Sequence, residues 1–423
     1  MQLYTMLAHF LAAYTALAAE DTSCSDALTP GGPCHKHQLG RSDTNQPVET
    51  ETQRKMETGK AMKFSITPQE AYKTEDAEEP QKQNIAEILR RPRAGGEFGL
   101  SAQWREAIAI PAMGSNRSEI RGGRCQTEEM MARVRIILER RRKTPADSRV
   151  AICVRSKDFG RFLPEWVAFH YVLGVDEVKL FDDDSVDRTG QALFPFMQAG
   201  IVKYKLEKIS KSSEMKPLNE CLGFYLDKRS KDPHAPRWIL FHDTDEYMFP
   251  VDTSLTIPEA LSSHNSTCCV QVMRVQYGSG NLIETPRGLV LENFLTHADP
   301  RNARENRFPK VMVNLDPTEP EKGVVAPKLP SMHNAHGCEC ETPKVTEMRI
   351  NHYLGSLGDF YDHSRRYWEK YLKEQPTQRK VEKRDINDHT SDTITFWACA
   401  TREILYRIAH TLDLETGLDK TSP

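Results

Sequence analysis

The chain has 423 residues, 38% of them hydrophobic and 28% charged, with a formal net charge of −3. That balance excludes a general nucleic-acid binder, which needs a strong basic excess. The length allows two or three domains, or one large α/β domain with appendages.

Met1 to Ala19 carries no acidic or basic side chain, and the stretch ends in Ala-Leu-Ala-Ala before Glu20 and Asp21. Small residues there predict a signal peptide over residues 1–19, with an uncleaved signal anchor in the membrane as the second reading. The missing basic leader counts against an anchor more than against a cleaved signal. Asn116-Arg117-Ser118 and Asn265-Ser266-Thr267 are N-glycosylation acceptors and agree with the secretory pathway, in the Golgi or endoplasmic reticulum lumen. All ten cysteines follow residue 19, so disulfides are permitted, with a connectivity that sequence does not fix. Cys153 lies inside the apolar run Val150 to Val154 and reads as a buried thiol.

Residues 20–94 are rich in Thr, Glu, Gln, Lys and Pro and show no sustained periodicity, which predicts a disordered stem. Residues 95–147 read as a helical neck. Its helix begins after Thr127 as N-cap and sets Met130, Val134, Ile137 and Leu138 on one stripe. The basic end Arg140-Arg141-Arg142-Lys143 reads as a solvated helix terminus that favours cations, rather than as a membrane contact.

A catalytic domain is expected over 148–415. Val150 to Val154 predicts a buried strand, and Leu163-Pro164-Glu165-Trp166 opens a helix that Gly174 closes. Val175 to Phe181 predicts a strand, Arg188 to Gln198 a helix, Ile201 to Tyr204 a strand, Pro217 to Lys228 a helix and Trp238 to Phe241 a strand. This alternation predicts an α/β fold, a Rossmann-like, mostly parallel sheet flanked by helices. Such sheets bind ligands at the carboxyl ends of their strands.

Two of those ends are acidic: Asp182-Asp183-Asp184-Ser185-Val186-Asp187 after the second strand, and His242-Asp243-Thr244-Asp245-Glu246 after Phe241. Crowded carboxylates repel one another and call for a cation or a dense hydrogen-bond network. Asp-x-Asp offers hard oxygen ligands with open coordination positions, which suits Mn²⁺ or Mg²⁺ bridging the phosphates of a nucleotide sugar. The bland reading makes the first cluster an Asx turn that caps the next helix.

Glu165-Trp166 with His170, Leu173-Gly174-Val175, the Phe181-to-Asp187 turn and Asp243-Thr244-Asp245-Glu246-Tyr247 resemble glycosyltransferase family 92. The turn is similar also to family 2 type nucleotide-sugar transferases. The likeness runs on through Tyr277-Gly278-Ser279-Gly280, Gly288 to Glu292, Lys310, His333-Asn334, His352-Tyr353 and Ser356, and spans roughly residues 148–370. It implies a GT-A fold and an Mn²⁺-assisted, inverting transfer from a UDP-sugar, often UDP-galactose, to a glycan or glycoprotein acceptor. By matched position, Asp183 contacts the uridine, Asp187 shapes the nucleotide pocket, and Asp243 and Asp245 hold ribose and metal. A late histidine, His352, completes the metal shell. Tyr277 stands where the family more often has Phe, and Asp183 where it often has Asn.

Gly278-Ser279-Gly280 reads as a flexible turn or as a loop that approaches a sugar closely. An inverting transfer needs a carboxylate at the acceptor hydroxyl, and of Glu284 and Glu292 the latter is the choice. The crowded His333, His336, Cys338 and Cys340 read as disulfides or free thiols rather than zinc ligands. Two other functions fit the composition: a carbohydrate- or Ca²⁺-binding module on a transferase fold, and a metal-independent glycoside hydrolase.

Overall fold

The computed structural model describes residues 123–210, 213–300, 304–316, 328–362 and 383–410. The expected signal, the stem, Asn116 and most of the neck lie outside the described residues.

Helix α1 (Glu128–Arg142) comes first, and the Thr127 hydroxyl oxygen accepts from the Met130 N–H at 3.3 Å, the expected cap. Strands and helices then alternate as β1 (Val150–Ser156), α2 (Leu163–Val172), β2 (Val175–Asp182), α3 (Thr189–Gln198), β3 (Val202–Leu206), α4 (Lys216–Lys231) and β4 (Trp238–Phe241). Next are β5 (Glu246–Pro250), α5 (Ile257–Leu261), β6 (Cys269–Val272), β7 (Arg274–Tyr277), α6 (Val290–Asn293) and β8 (Thr296–His297). They are followed by β9 (Lys310–Asn314), β10 (Lys328–Ser331), β11 (Asn334–His336), β12 (Met348–Tyr353), β13 (His389–Thr390) and α7 (Ala398–Ala409).

The larger sheet has the order β3-β2-β1-β4-β9-β6. Its first four strands are parallel, and β9 runs antiparallel to both of its neighbours. Alternate residues of β1 feed two cores. Val150, Ile152 and Val154 pack with Trp166, Phe169 and Leu193 of α2 and α3. Ala151 and Cys153 pack with Leu218, Leu222 and Tyr225 of α4. A strand covered on both faces has no polar side, which is why the run reads as continuously apolar. The architecture is therefore α/β, a parallel-rich sheet flanked by helices, as the alternation predicts. A second sheet, β13-β8-β7-β12-β5, follows, and β10 and β11 form a hairpin.

Cys153 is no free thiol. It is bonded to Cys221, because β1 turns it to the face that α4 covers. Apolar surroundings suit a buried disulfide as well as a buried thiol, so the run alone misled. Cys268–Cys338 and Cys269–Cys340 join the segment after β11 to the start of β6, and Cys125–Cys399 joins the chain before α1 to α7. The basic end of α1 is divided: Arg141 donates to the Tyr171 carbonyl at 3.1 Å and lies over its ring, while Arg142 and Lys143 are exposed as expected of a solvated terminus.

Candidate active site at the carboxyl edge of the parallel sheet

The turn between β4 and β5 is where the chain leaves the first sheet for the second, and it carries Asp243 and Asp245. Two bonds lock it: the Asp243 N–H donates to Glu246 Oε2 at 3.0 Å, and the Glu246 N–H donates to the Asp243 carbonyl at 3.2 Å. Helix α2 holds the turn from behind. Trp166 Nε1–H donates to the Glu246 carbonyl at 2.8 Å, and His170 Nε2 accepts the Met248 N–H at 3.3 Å. His170 Nδ1–H donates to the Trp166 carbonyl at 2.8 Å, which fixes the tautomer. Burial, with His242 beside it, holds the His170 imidazole well below its usual pKa, and therefore neutral. The Glu165-Trp166 and His170 signature is thus a bracket for the acidic turn.

Glu246 and Lys310 are both fully buried. The antiparallel register of β9 on β4 carries Lys310 to the end of β4, where its Nζ lies 2.5 Å from Asp243 Oδ2 and 3.2 Å from Glu246 Oε2. Burial pushes the Asp243 carboxyl up, yet the charge and hydrogen bond of Lys310 hold it well below the usual carboxylate range. Arg274 adds a second cation 3.5 Å from Glu246 Oε1.

His352 reaches the same turn from β12, whose antiparallel register places it opposite Glu246. On its other side the parallel register places Gln276 of β7. His352 Nδ1 is 2.7 Å from Gln276 Oε1, and Gln276 Nε2 points to the Tyr277 carbonyl at 3.4 Å, so the amide oxygen accepts from Nδ1–H. His352 Nε2 lies 3.2 Å from Asp245 Oδ2. Asp245, Glu246 and His352 are close enough to share one metal ion. Of the three, Glu246 is already balanced by Lys310 and Arg274, which leaves Asp245 and His352 as the better ligands. Asp243 serves the turn and Lys310 rather than that group.

Asp243, Asp245 and His352 line a cavity of about 530 Å³, together with Phe162, Tyr247, Arg274 and Asp359. The two residues expected to hold the nucleotide are not among its lining. Asp183 Oδ1 accepts the Ile209 N–H at 2.8 Å. Asp187 accepts from the Gly160 N–H at 2.8 Å and from the Thr189 N–H at 2.9 Å, so it joins the loop after β1 to the start of α3. A Cβ on Gly160 would stand 2.7 Å from the Thr189 backbone, so this close approach needs glycine. Only the Asp187–Thr189 bond has the form of an Asx turn; the N-cap of α3 is Arg188, with no side-chain cap bond, so the capping reading is not met, and the other bonds tie distant loops together.

Glu292 also stands elsewhere. It takes Arg402 of α7 at 2.5 and 3.2 Å, and its Oε2 accepts the Leu289 N–H at 3.3 Å. It does not line the cavity. Arg402 ties it between α6 and α7, and because it stands away from the cavity, the choice of Glu292 as general base does not fit that geometry. The Gly278-Ser279-Gly280 turn is bonded to the chain itself. Ser279 N–H and Oγ donate to Asp385 at 2.6 and 2.8 Å, and a Cβ on Gly278 would lie 2.3 Å from Asn387. Sequence reasoning missed Gln276 and Arg274, because only the pairing of β7, β12 and β5 brings them to the turn, and it missed Asp359, which reaches the cavity from the segment after β12.

No protein-family model matches the chain, and no curated protein matches it. Among solved structures it is similar to S. aureus TarS 1–349 alone, with UDP and with UDP-GlcNAc, each at 14% identity. The matches cover 56% of this chain and 69%, 69% and 70% of those chains, with TM-scores of 0.27, 0.29 and 0.30. A likeness that slight carries no functional inference.

Proposed function

We propose that the protein is a metal-dependent glycosyltransferase that moves a hexose from a UDP-sugar, galactose being the first candidate, to a glycan acceptor with inversion. The observation that carries this reading is the meeting of Asp243, Asp245 and His352 at one cavity on the carboxyl edge of a parallel sheet. Carboxylate and water ligands suit Mg²⁺ and Mn²⁺ alike, and the imidazole nitrogen of His352 favours Mn²⁺. Asp245 Oδ2 and His352 Nε2 would hold it, and Gln276 orients the imidazole for that task. When bound, the metal offsets the charge that gathers on the leaving diphosphate. Asp243, with one oxygen on Lys310, is suited to accept a ribose hydroxyl through the other.

The four disulfides among the described residues agree with an oxidising compartment, which supports the secretory lumen as the place of action. Among the described residues no helix is long and apolar enough to cross a membrane, and residues 1–19 lie outside them. A panel of nucleotide sugars, each incubated with the protein and Mn²⁺, tests the reading by release of nucleoside diphosphate. Turnover of one or more UDP-sugars, lost on adding EDTA, is expected. Glycoside hydrolysis without nucleotide or metal, or binding of sugar without turnover of any donor, would contradict it.

A further inference from the structure

We infer that Asp359 is the general base that takes the proton of the acceptor hydroxyl, an assignment that rests on the transferase reading. The cavity holds five carboxylates, Asp158, Asp243, Asp245, Asp359 and Asp362. Asp243 and Asp245 belong to the turn with Lys310 and His352. Asp158 has φ +50° and accepts the Val186 N–H at 2.7 Å, so it ties the loop after β1 to the turn after β2. Asp362 is exposed, one helical turn beyond Asp359.

Asp359 differs in how it is held. Its Oδ2 accepts from the Ser356 hydroxyl at 2.8 Å and from the Thr285 hydroxyl, while Oδ1 accepts from Arg161 at 3.1 Å. Those donors come from separate parts of the chain: the loop before α2, the loop before α6 and the turn after β12. Each carboxylate oxygen offers about two lone-pair sites, so Oδ2 is filled and Oδ1 keeps one for a further donor. A helix cap alone would need Ser356 and nothing more; the Arg161 and Thr285 bonds fix the rotamer beyond that.

The sequence positions it. Gly355, at φ +76°, turns the chain out of β12 three residues after His352. A Cβ there would stand 3.3 Å from the Asp359 Cβ, so glycine admits the carboxylate at close range. Phe162 and Phe360 line the same cavity and offer ring faces for a sugar to lie against. The step then balances. The acceptor oxygen bonds to the sugar C1 as its proton passes to Asp359 Oδ1, and the C1–O bond to the diphosphate breaks, with its electron pair leaving on the nucleoside diphosphate.

The test compares wild type with Asp359→Asn and Asp359→Glu on the donor found active, reading kcat, donor KM, equilibrium UDP binding with Mn²⁺, and thermal unfolding. Asp359→Asn is expected to lower kcat by about 10²–10⁴-fold with UDP binding unchanged. Asp359→Glu, which keeps the carboxylate, is expected to fold and to recover part of that loss, and it carries the test if Asp359→Asn does not fold. In Asp359→Asn, azide, an anion that needs no deprotonation, is expected to restore release of nucleoside diphosphate. A folded Asp359→Asn protein within about threefold of wild-type kcat overturns the assignment alone. So does an Asp359→Glu protein no more active than Asp359→Asn, or, where that variant does not fold, one with no detectable turnover. A wild-type protein that transfers no sugar from any donor overturns the transferase reading and this one together.

Discussion

His352 Nε2 faces Asp245 Oδ2 at 3.2 Å, while the Nδ1–H of the same ring is committed to Gln276 Oε1 at 2.7 Å. Gln276 therefore decides which nitrogen is offered to a metal. Replacing it by Leu keeps the volume and removes the acceptor. Mn²⁺ affinity should fall by about 10- to 100-fold with the fold retained. Titration of Mn²⁺ in the presence of UDP reads this directly, and unchanged affinity would detach Gln276 from the site.

Lys310 neutralises Asp243 and Glu246 from a fully buried position. Lys310→Met keeps the chain length but leaves Glu246 with only Arg274 as a cation. Chemical denaturation should show a loss of about 3 kcal/mol, because a fully buried carboxylate loses its nearer cation. A loss below about 1 kcal/mol would mean that the acidic turn is not held by this pair.

Cys125 and Cys399 join two segments 274 residues apart in sequence. Removing the bond by replacing both residues with Ser lengthens the unfolded ensemble's free loop by nearly the whole domain. The expected cost is about 3–5 kcal/mol in denaturant unfolding. Equal midpoints for the two proteins would show that the bond does not constrain the unfolded chain.

Burial pushes Glu165 up to about 8, against the two N–H donors of Val290 and Leu291 at 2.8 and 3.1 Å. The folded protein then holds a proton that the unfolded chain has released, so stability is present at acid pH and lost as pH rises from about 4.5 to about 8. Relative to Glu165→Gln, which cannot titrate, wild type should become less stable across that window. Unfolding midpoints of both proteins at pH 5, 6.5 and 8 test it, and parallel curves would place the carboxyl near its ordinary range.

The first half of the domain was legible, since strands and helices alternate there in chain order and pair with near neighbours. Thr127, Gly174 and Gly200 stop or start elements as their chemistry predicts, the two glycines at φ +95° and +76°. Beyond Glu246 the strands are two to six residues long and pair out of chain order, so periodicity had little to grip. Asp245 was legible because a strand-end Asp-x-Asp advertises itself. Glu292 misled because an acidic residue in a well-matched run looks the same whether it meets a substrate or Arg402. Asp183 and Asp187 likewise hide their backbone partners, Ile209 and Gly160, until the loops are folded together.

The most direct test of the metal-dependent transferase is Asp245→Asn. Asparagine keeps the size of the side chain and one oxygen, and removes the charge that would hold a divalent cation opposite His352. The measurement is transfer rate against Mn²⁺ concentration for wild type and variant, with thermal unfolding in EDTA as the folding control. The expected result is a variant as stable as wild type, or slightly more so, with transfer abolished at every Mn²⁺ concentration. A well-folded variant with near-normal turnover that still responds to Mn²⁺ would contradict the assignment of Asp245 as a metal ligand.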